Sequence, residues 1–216
     1  TSNPFSMLIK STVAIAAILM MTPMHDTLPD LKIGDPLPAG DVKMKDVSNK
    51  DVTLAGLKGE KGLLVIFSCN TCPFAVGSDG SEGWEGRYPA LGTWCQENGV
   101  GMVLVNSNEA KREKGDSFAD MQLRYREKGY VGNYALDANH VVADSFGART
   151  TPHVYLFDAG LKLAYKGAID DNVGSAAEVK EHWLDRALQA MLGSMPIDPA
   201  TTRNMGGSLK RLTAPP

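Results

Sequence analysis

Apolar positions along the chain fall into runs of distinct period. Leu63-Leu64-Val65-Ile66-Phe67 is continuously apolar, the mark of a strand covered on both faces. Val100 to Val105 reads as a second buried strand, and His153 to Phe157 as a third. Weaker alternation at Val42, Met44, Val47, Val52 and Leu54 predicts a short hairpin between Val42 and Leu57. Helical spacing recurs at Trp84, Tyr88, Leu91 and Cys95, where Pro89 forces a kink or a late start. Glycines 77, 80 and 83 stand just before it, so the first helix is expected to break into a short turn and a longer packing segment. Asp116 or Ser117 caps a helix carrying Phe118, Met121 and Tyr125, which Gly129 ends. Tyr134 to Leu136 is strand-like, and His140 to Phe146 is a short helix. Asp158-Ala159-Gly160 turns the chain and Leu161 to Tyr165 returns as a strand. Ser175 and Glu178 predict a capping box for a last helix with Val179, Trp183, Ala187 and Met191 on one face, closed at Gly193.

This order predicts an α/β chain with a central mixed sheet, helices on both faces, an antiparallel edge and an N-terminal hairpin extension. Residues 42–197 are expected to form one domain. A Pro-containing linker at 25–41 precedes it and a C-terminal tail at 198–216 follows. At 1–24, Lys10 before the apolar stretch Val13 to Met21 reads as a leader for export, with Met7 as the start. That stretch is too short for a comfortable membrane span, so no stable insertion is expected after processing. The expected location is periplasmic or extracytoplasmic.

Composition narrows the function. A 216-residue chain, 43% hydrophobic and 22% charged, is an ordinary globular protein, and a net charge of −3 gives no reason to expect nucleic acid as a partner. Three cysteines are too few for a disulfide scaffold, which leaves catalytic, regulatory or metal-binding roles for the close pair.

That pair is Cys69-Asn70-Thr71-Cys72-Pro73, placed directly after the apolar run at Leu63 to Phe67. Two cysteines three apart, where a strand passes into a helix, can close and open a disulfide, and helix-terminal amides favour a thiolate there. A structural zinc half-site would call for a second cysteine pair, which the chain lacks. Cys95, beside Trp94 in an apolar helix, reads as a buried core thiol. Phe74 and Trp84 are candidates for an apolar rim, with core packing the stronger reading for Trp84.

Three landmarks resemble the thioredoxin-like superfamily, in its exported redoxin and thiol–disulfide oxidoreductase branch. They are Phe67-Ser68-Cys69-Asn70-Thr71-Cys72-Pro73, the strand end Val103-Leu104-Val105-Asn106-Ser107-Asn108, and Thr151-Pro152 before an apolar strand. The resemblance spans about Ile33 to Ile197. It implies a thioredoxin-like fold and a cis bond at Pro152, set against the cysteines. It also implies that the more exposed Cys69 attacks a substrate disulfide while Cys72 resolves it. Thr151 and Pro152 would shape a groove for an extended substrate strand, lined further by Pro73, Phe74 and His153. Such an enzyme needs no cofactor and no metal beyond the reversible Cys69–Cys72 disulfide. Its partners would be protein disulfides and a redox donor protein.

Two departures bear on the chemistry. Relatives often carry an acid on the first core strand, whereas Gly62 to Ser68 has none. Glu82 and Glu85 are the candidates to replace it, although solvated helix charges are the plainer reading. A C-terminal segment that usually contains cysteine reads Met205-Gly206-Gly207-Ser208-Leu209-Lys210, with Gly207 at the cysteine position. The neutral Asn70 and Thr71 place no positive charge between the cysteines, which points to a reducing centre. Three other readings stand beside this one. One is a peroxiredoxin-like peroxidase using Cys72-Pro73, another a copper-binding module using the cysteines and His153, and the last a partner-binding domain with an idle dithiol.

Overall fold

The structure, a computed structural model, describes residues 27–212. The expected leader at 1–24 lies outside them. A seven-stranded mixed sheet forms the centre, built from β1 (Met44–Asp46), β2 (Asp51–Val52), β3 (Gly62–Phe67), β4 (Val100–Asn106), β5 (Asn133–Leu136), β7 (His153–Asp158) and β8 (Leu163–Gly167). Its order is β2-β1-β5-β4-β3-β7-β8. Strands β3, β4 and β5 run parallel, and β7 returns antiparallel against β3.

Side chains alternate along β3 and so feed two cores. Leu64 and Ile66 face one cluster with Met102, Leu104, Val154 and Leu156. Over it lie α3 (Tyr88–Glu97), α4 (Phe118–Glu127) and α6 (Trp183–Leu192), contributing Leu91, Met121 and Leu188. Leu63, Val65 and Phe67 face the other cluster, closed by α1 (Leu54–Leu57) and α5 (Val141–Phe146) through Leu54, Val142 and Phe146. All six residues of β3 are buried, as its unbroken apolar run requires.

The first helix divides as expected. A single turn, α2 (Pro73–Val76), follows the cysteines, and α3 begins at Tyr88 with Pro89 in its first turn, where no amide is missed. Between them Gly77 and Gly83 both adopt positive φ, and a side chain on Gly83 would strike the Gly77 amide. Ser117 caps α4, with Asp120 completing the capping box.

Three expectations change. Ser175 and Glu178 do not open the last helix: α6 starts at Trp183. The Lys180 and Glu181 amides bond the Asp171 carboxylate, and Val179 is extended, so the helix cannot propagate from Ser175. The expected linker is part of the fold, since Leu37 donates to Leu161, Gly34 and Asp35 exchange bonds with Leu163, and Leu31 and Leu37 pack on the second cluster. The expected tail is also part of it. Its β9 (Gly207–Ser208) pairs antiparallel with β6 (Thr150–Thr151), and Leu209 is buried.

Candidate active site

The cysteine motif sits where β3 ends at the centre of the sheet. Cys72 precedes α2 as its capping residue and Pro73 occupies the first helical position. Thr151 reaches both sulfurs: its hydroxyl lies 3.4 Å from Cys69 Sγ, and its carbonyl accepts the Cys72 thiol at 3.1 Å. The Thr151–Pro152 bond is cis, as the resemblance implies. Among the expected rim residues, Phe74 is 37% exposed at the site's edge, whereas Trp84 is buried and donates to Asp170 at 2.7 Å. Pro73 is exposed beside Phe74.

The expected order of exposure is reversed. Cys69 is 2% exposed and Cys72 is 7% exposed. The reason is position: Cys69 lies deeper, near the Asp116 carboxylate and under Thr151, while Cys72 has reached the start of the helical turn. The two thiols ionise as a pair. Hydrogen bonding to the Cys72 sulfur, then burial, then the Asp116 charge push Cys69 well above the ordinary thiol range. The hydrogen bond from Cys69 lowers Cys72 to about 5 against its burial, with Thr151 and the Ala75 and Phe74 amides helping. One proton therefore leaves the pair easily and the second is held.

The buried acid is a residue the sequence offered only as a possible cap for α4, a place that Ser117 takes instead. Asp116, fully buried ahead of α4, accepts from the Asn70 amide at 2.7 Å and from the Thr71 hydroxyl at 2.6 Å. Asn106 and Asn108 donate to the same carboxylate at 2.8 and 3.2 Å. The intervening Ser107 donates to Asp137, which receives the first amides of α5. Arg112 holds the Asn106 side chain at 2.8 Å and donates to the Asp116 and Asp137 carbonyls. Tyr134 completes the set by donating to Asn70 Oδ1 at 2.8 Å. Asn106 and Asn108 of the strand end thus hold the floor of the motif, while Ser107 ties the same strand end to α5 through Asp137. The one available signal for Asp116 is its place in a loop after that polar strand end.

Glu82 and Glu85 do not replace the acid. Glu85 is buried but committed to Arg124 through two bonds of 2.7 Å, to Tyr130 at 2.8 Å and to Lys128. Glu82 accepts the Ala176 amide near the surface. His153 is paired with Phe67 across the sheet and stacks on Tyr155, with burial lowering it to about 4. Among the described residues no group of three His, Cys, Asp or Glu side chains is gathered at metal-binding distance. Burial, with Asp185 adding, pushes Cys95 up to about 12 and leaves it an inert core thiol.

The groove expected beside Thr151 is already filled. β9 lies against it in the register Thr150↔Ser208 and Thr151↔Gly207. A Cβ on Gly207 would stand 2.6 Å from Cys72 Sγ and 3.8 Å from the Phe74 ring.

No protein-family model and no curated protein matches the chain. Solved structures do. An uncharacterised conserved protein from Geobacillus kaustophilus is 28% identical with a TM-score of 0.75, over 88% of this chain and 96% of that one. A putative thiol:disulfide interchange protein from Chlorobium tepidum is 18% identical with a TM-score of 0.56, over 76% of this chain and all 100% of the other. A thioredoxin-like protein solved in its oxidised form is 19% identical with a TM-score of 0.55, over 76% and 99%. Together with the sheet order and the helices on both faces, these likenesses give the chain a thioredoxin-like fold.

Proposed function

We propose that the protein is an exported thiol–disulfide oxidoreductase that works as a reductase through a Cys69/Cys72 dithiol–disulfide cycle. The observation that carries this reading is the shared proton of the pair: one thiol is driven down to about 5 while its neighbour is driven up. That is the electrostatic state of a dithiol ready to attack and then close. The charge belongs to the pair: one sulfur attacks the substrate disulfide and the other displaces the product thiol. Thr151 and Pro152 hold the roof over both sulfurs.

The Asp116 carboxylate supports the reducing direction, because a fixed anion beside Cys69 opposes a second thiolate in the reduced state. Export is supported by the charged and apolar start of the chain, and a dithiol donor must reload the pair after each turnover.

The test is to oxidise the purified protein and its serine variants. The unmodified chain should lose two hydrogens by mass. One of Cys69→Ser and Cys72→Ser should trap a mixed disulfide at its remaining sulfur, which names the attacking thiol, and the other should be inactive. No cycling in the unmodified chain would end the proposal. The low value at Cys72 also favours a second reading, peroxide reduction at the Cys72-Pro73 position. Peroxide consumption that survives Cys69→Ser and fails in Cys72→Ser would select it.

A further inference from the structure

The C-terminal segment lies where an incoming polypeptide would have to lie. A protein substrate approaching these sulfurs in extended form would add a strand at the backbone of Thr150–Thr151, the way an extended chain uses a strand edge. β9 already pairs with that backbone, register for register. Gly206 and Gly207 permit the approach: a Cβ on Gly206 would stand 2.7 Å from the Thr151 carbonyl oxygen, and one on Gly207 would meet Cys72 Sγ.

The strap is fastened on both sides of the glycines. Before them, Thr202 bonds the Tyr165 hydroxyl at 2.8 Å and the Ala168 amide at 3.0 Å, and Asn204 donates to Thr150 Oγ1 and the Pro152 carbonyl. After them, Leu209 is buried and Lys210 donates its amide to Asn108 Oδ1, the residue that also holds Asp116. Arg211 pairs with Asp144 at 2.8 Å and donates to the Ala148 carbonyl. A segment held at both ends and buried at Leu209 is a fixed part of the site. Over Cys72 it presents glycine backbone with no side chain, and it occupies the edge that an added strand would need.

We infer that this strap selects the substrate class: the Cys69–Cys72 pair exchanges with low-molecular-weight disulfides and excludes extended polypeptide disulfides. The inference rests on the dithiol reading above and narrows its expected protein substrate. In the reaction the thiolate of the pair attacks one sulfur of the small disulfide and expels the first thiolate. The remaining thiol then gives up its proton, its sulfur displaces the second thiolate, and the Cys69–Cys72 bond forms. The protein loses two electrons, and the substrate leaves as two thiols, one protonated by that thiol and the other by the solvent proton released when the pair first ionised.

The experiment follows single-turnover oxidation of the reduced full chain by glutathione disulfide and, separately, by insulin. The unmodified chain should react with glutathione disulfide and leave insulin intact. Thr202→Val removes the bonds to the Tyr165 hydroxyl and the Ala168 amide at the near anchor, and Arg211→Glu sets a carboxylate against Asp144 at the far anchor. Each should raise insulin reduction at least about tenfold, the equivalent of about 1.4 kcal/mol, while leaving the glutathione disulfide rate unchanged. Insulin reduced by the unmodified chain as fast as glutathione disulfide would overturn the inference and leave the dithiol reading intact. So would two folded variants that keep the small-disulfide rate and gain nothing on insulin. Reaction with neither compound, without loss of two hydrogens, would instead bring down the dithiol reading and this inference with it.

Discussion

Glu85 and Asp116 are both buried carboxylates, yet they are held in opposite ways. Glu85 is matched by cations: Arg124 grips it with two bonds and Lys128 stands at 3.4 Å. Asp116 is held by neutral donors alone, the Asn70 amide, the Thr71 hydroxyl and the amides of Asn106 and Asn108. The first charge is cancelled where it sits and serves to join α4 to the turn ahead of α3. The second stays electrostatically open and acts on Cys69. A buried acid therefore tunes a thiol only when its partners satisfy its hydrogen bonds without neutralising it.

Removing each carboxylate should separate these roles. Glu85→Ala leaves the Arg124 guanidinium without its partner, and breaking such a pair costs about 3–5 kcal/mol. Thermal unfolding should show the largest loss of the series, with the reduction potential unmoved; a changed potential would break the distinction. Asp116→Asn should cost less, about 1–3 kcal/mol, because the amide cannot accept from all four donors. Its main effect is chemical: without the anion the Cys69 pKa falls and the pair becomes more oxidising, which equilibration against glutathione would detect. Tyr134→Phe removes two bonds from the same floor, the one donated to Asn70 Oδ1 and the one accepted from the Asn106 side-chain amide, an expected loss of about 0.5–1.5 kcal/mol for each in a denaturant titration.

A last test uses the pH dependence of stability. Cys72 is lowered from an ordinary 9.0 to about 5, so between those values the unfolded chain binds a proton that the folded chain does not. Stability of the reduced protein should rise with pH across that window, and the contribution is lost as pH falls through about 5. Cys69 is shifted the other way, so above the ordinary thiol range the folded chain keeps a proton that the unfolded chain releases, and stability should fall. Melting curves of reduced and oxidised protein test this, because the disulfide form has neither thiol and should lack both slopes.

Much of the fold was legible because its signals are local. The run Leu63 to Phe67 needs no partner to announce a strand buried on both faces, and Pro89 with Gly77 and Gly83 announces a broken helix through backbone geometry alone. The pair Cys69 and Cys72 was visible for the same reason. The failed capping box at Ser175 shows the limit, since its four-residue pattern was local but Asp171 offered the same stretch of backbone a competing acceptor. Asp116 was hidden because it is 44 residues beyond Cys72 in sequence and meets the motif only after β4 and its loop have folded back.

From its own order of residues, then, the chain specifies two cysteines at the end of a central strand, flanked by neutral residues, in a sheet with helices on both faces. Those properties follow from period, turn chemistry and spacing, which act over a few residues. Which sulfur carries the charge, which acid stands beside it and what covers it depend on contacts between residues far apart in sequence. Electrostatics and exclusion act through space, so Asp116 governs Cys69 and Gly207 covers Cys72 only once the sheet has brought them together.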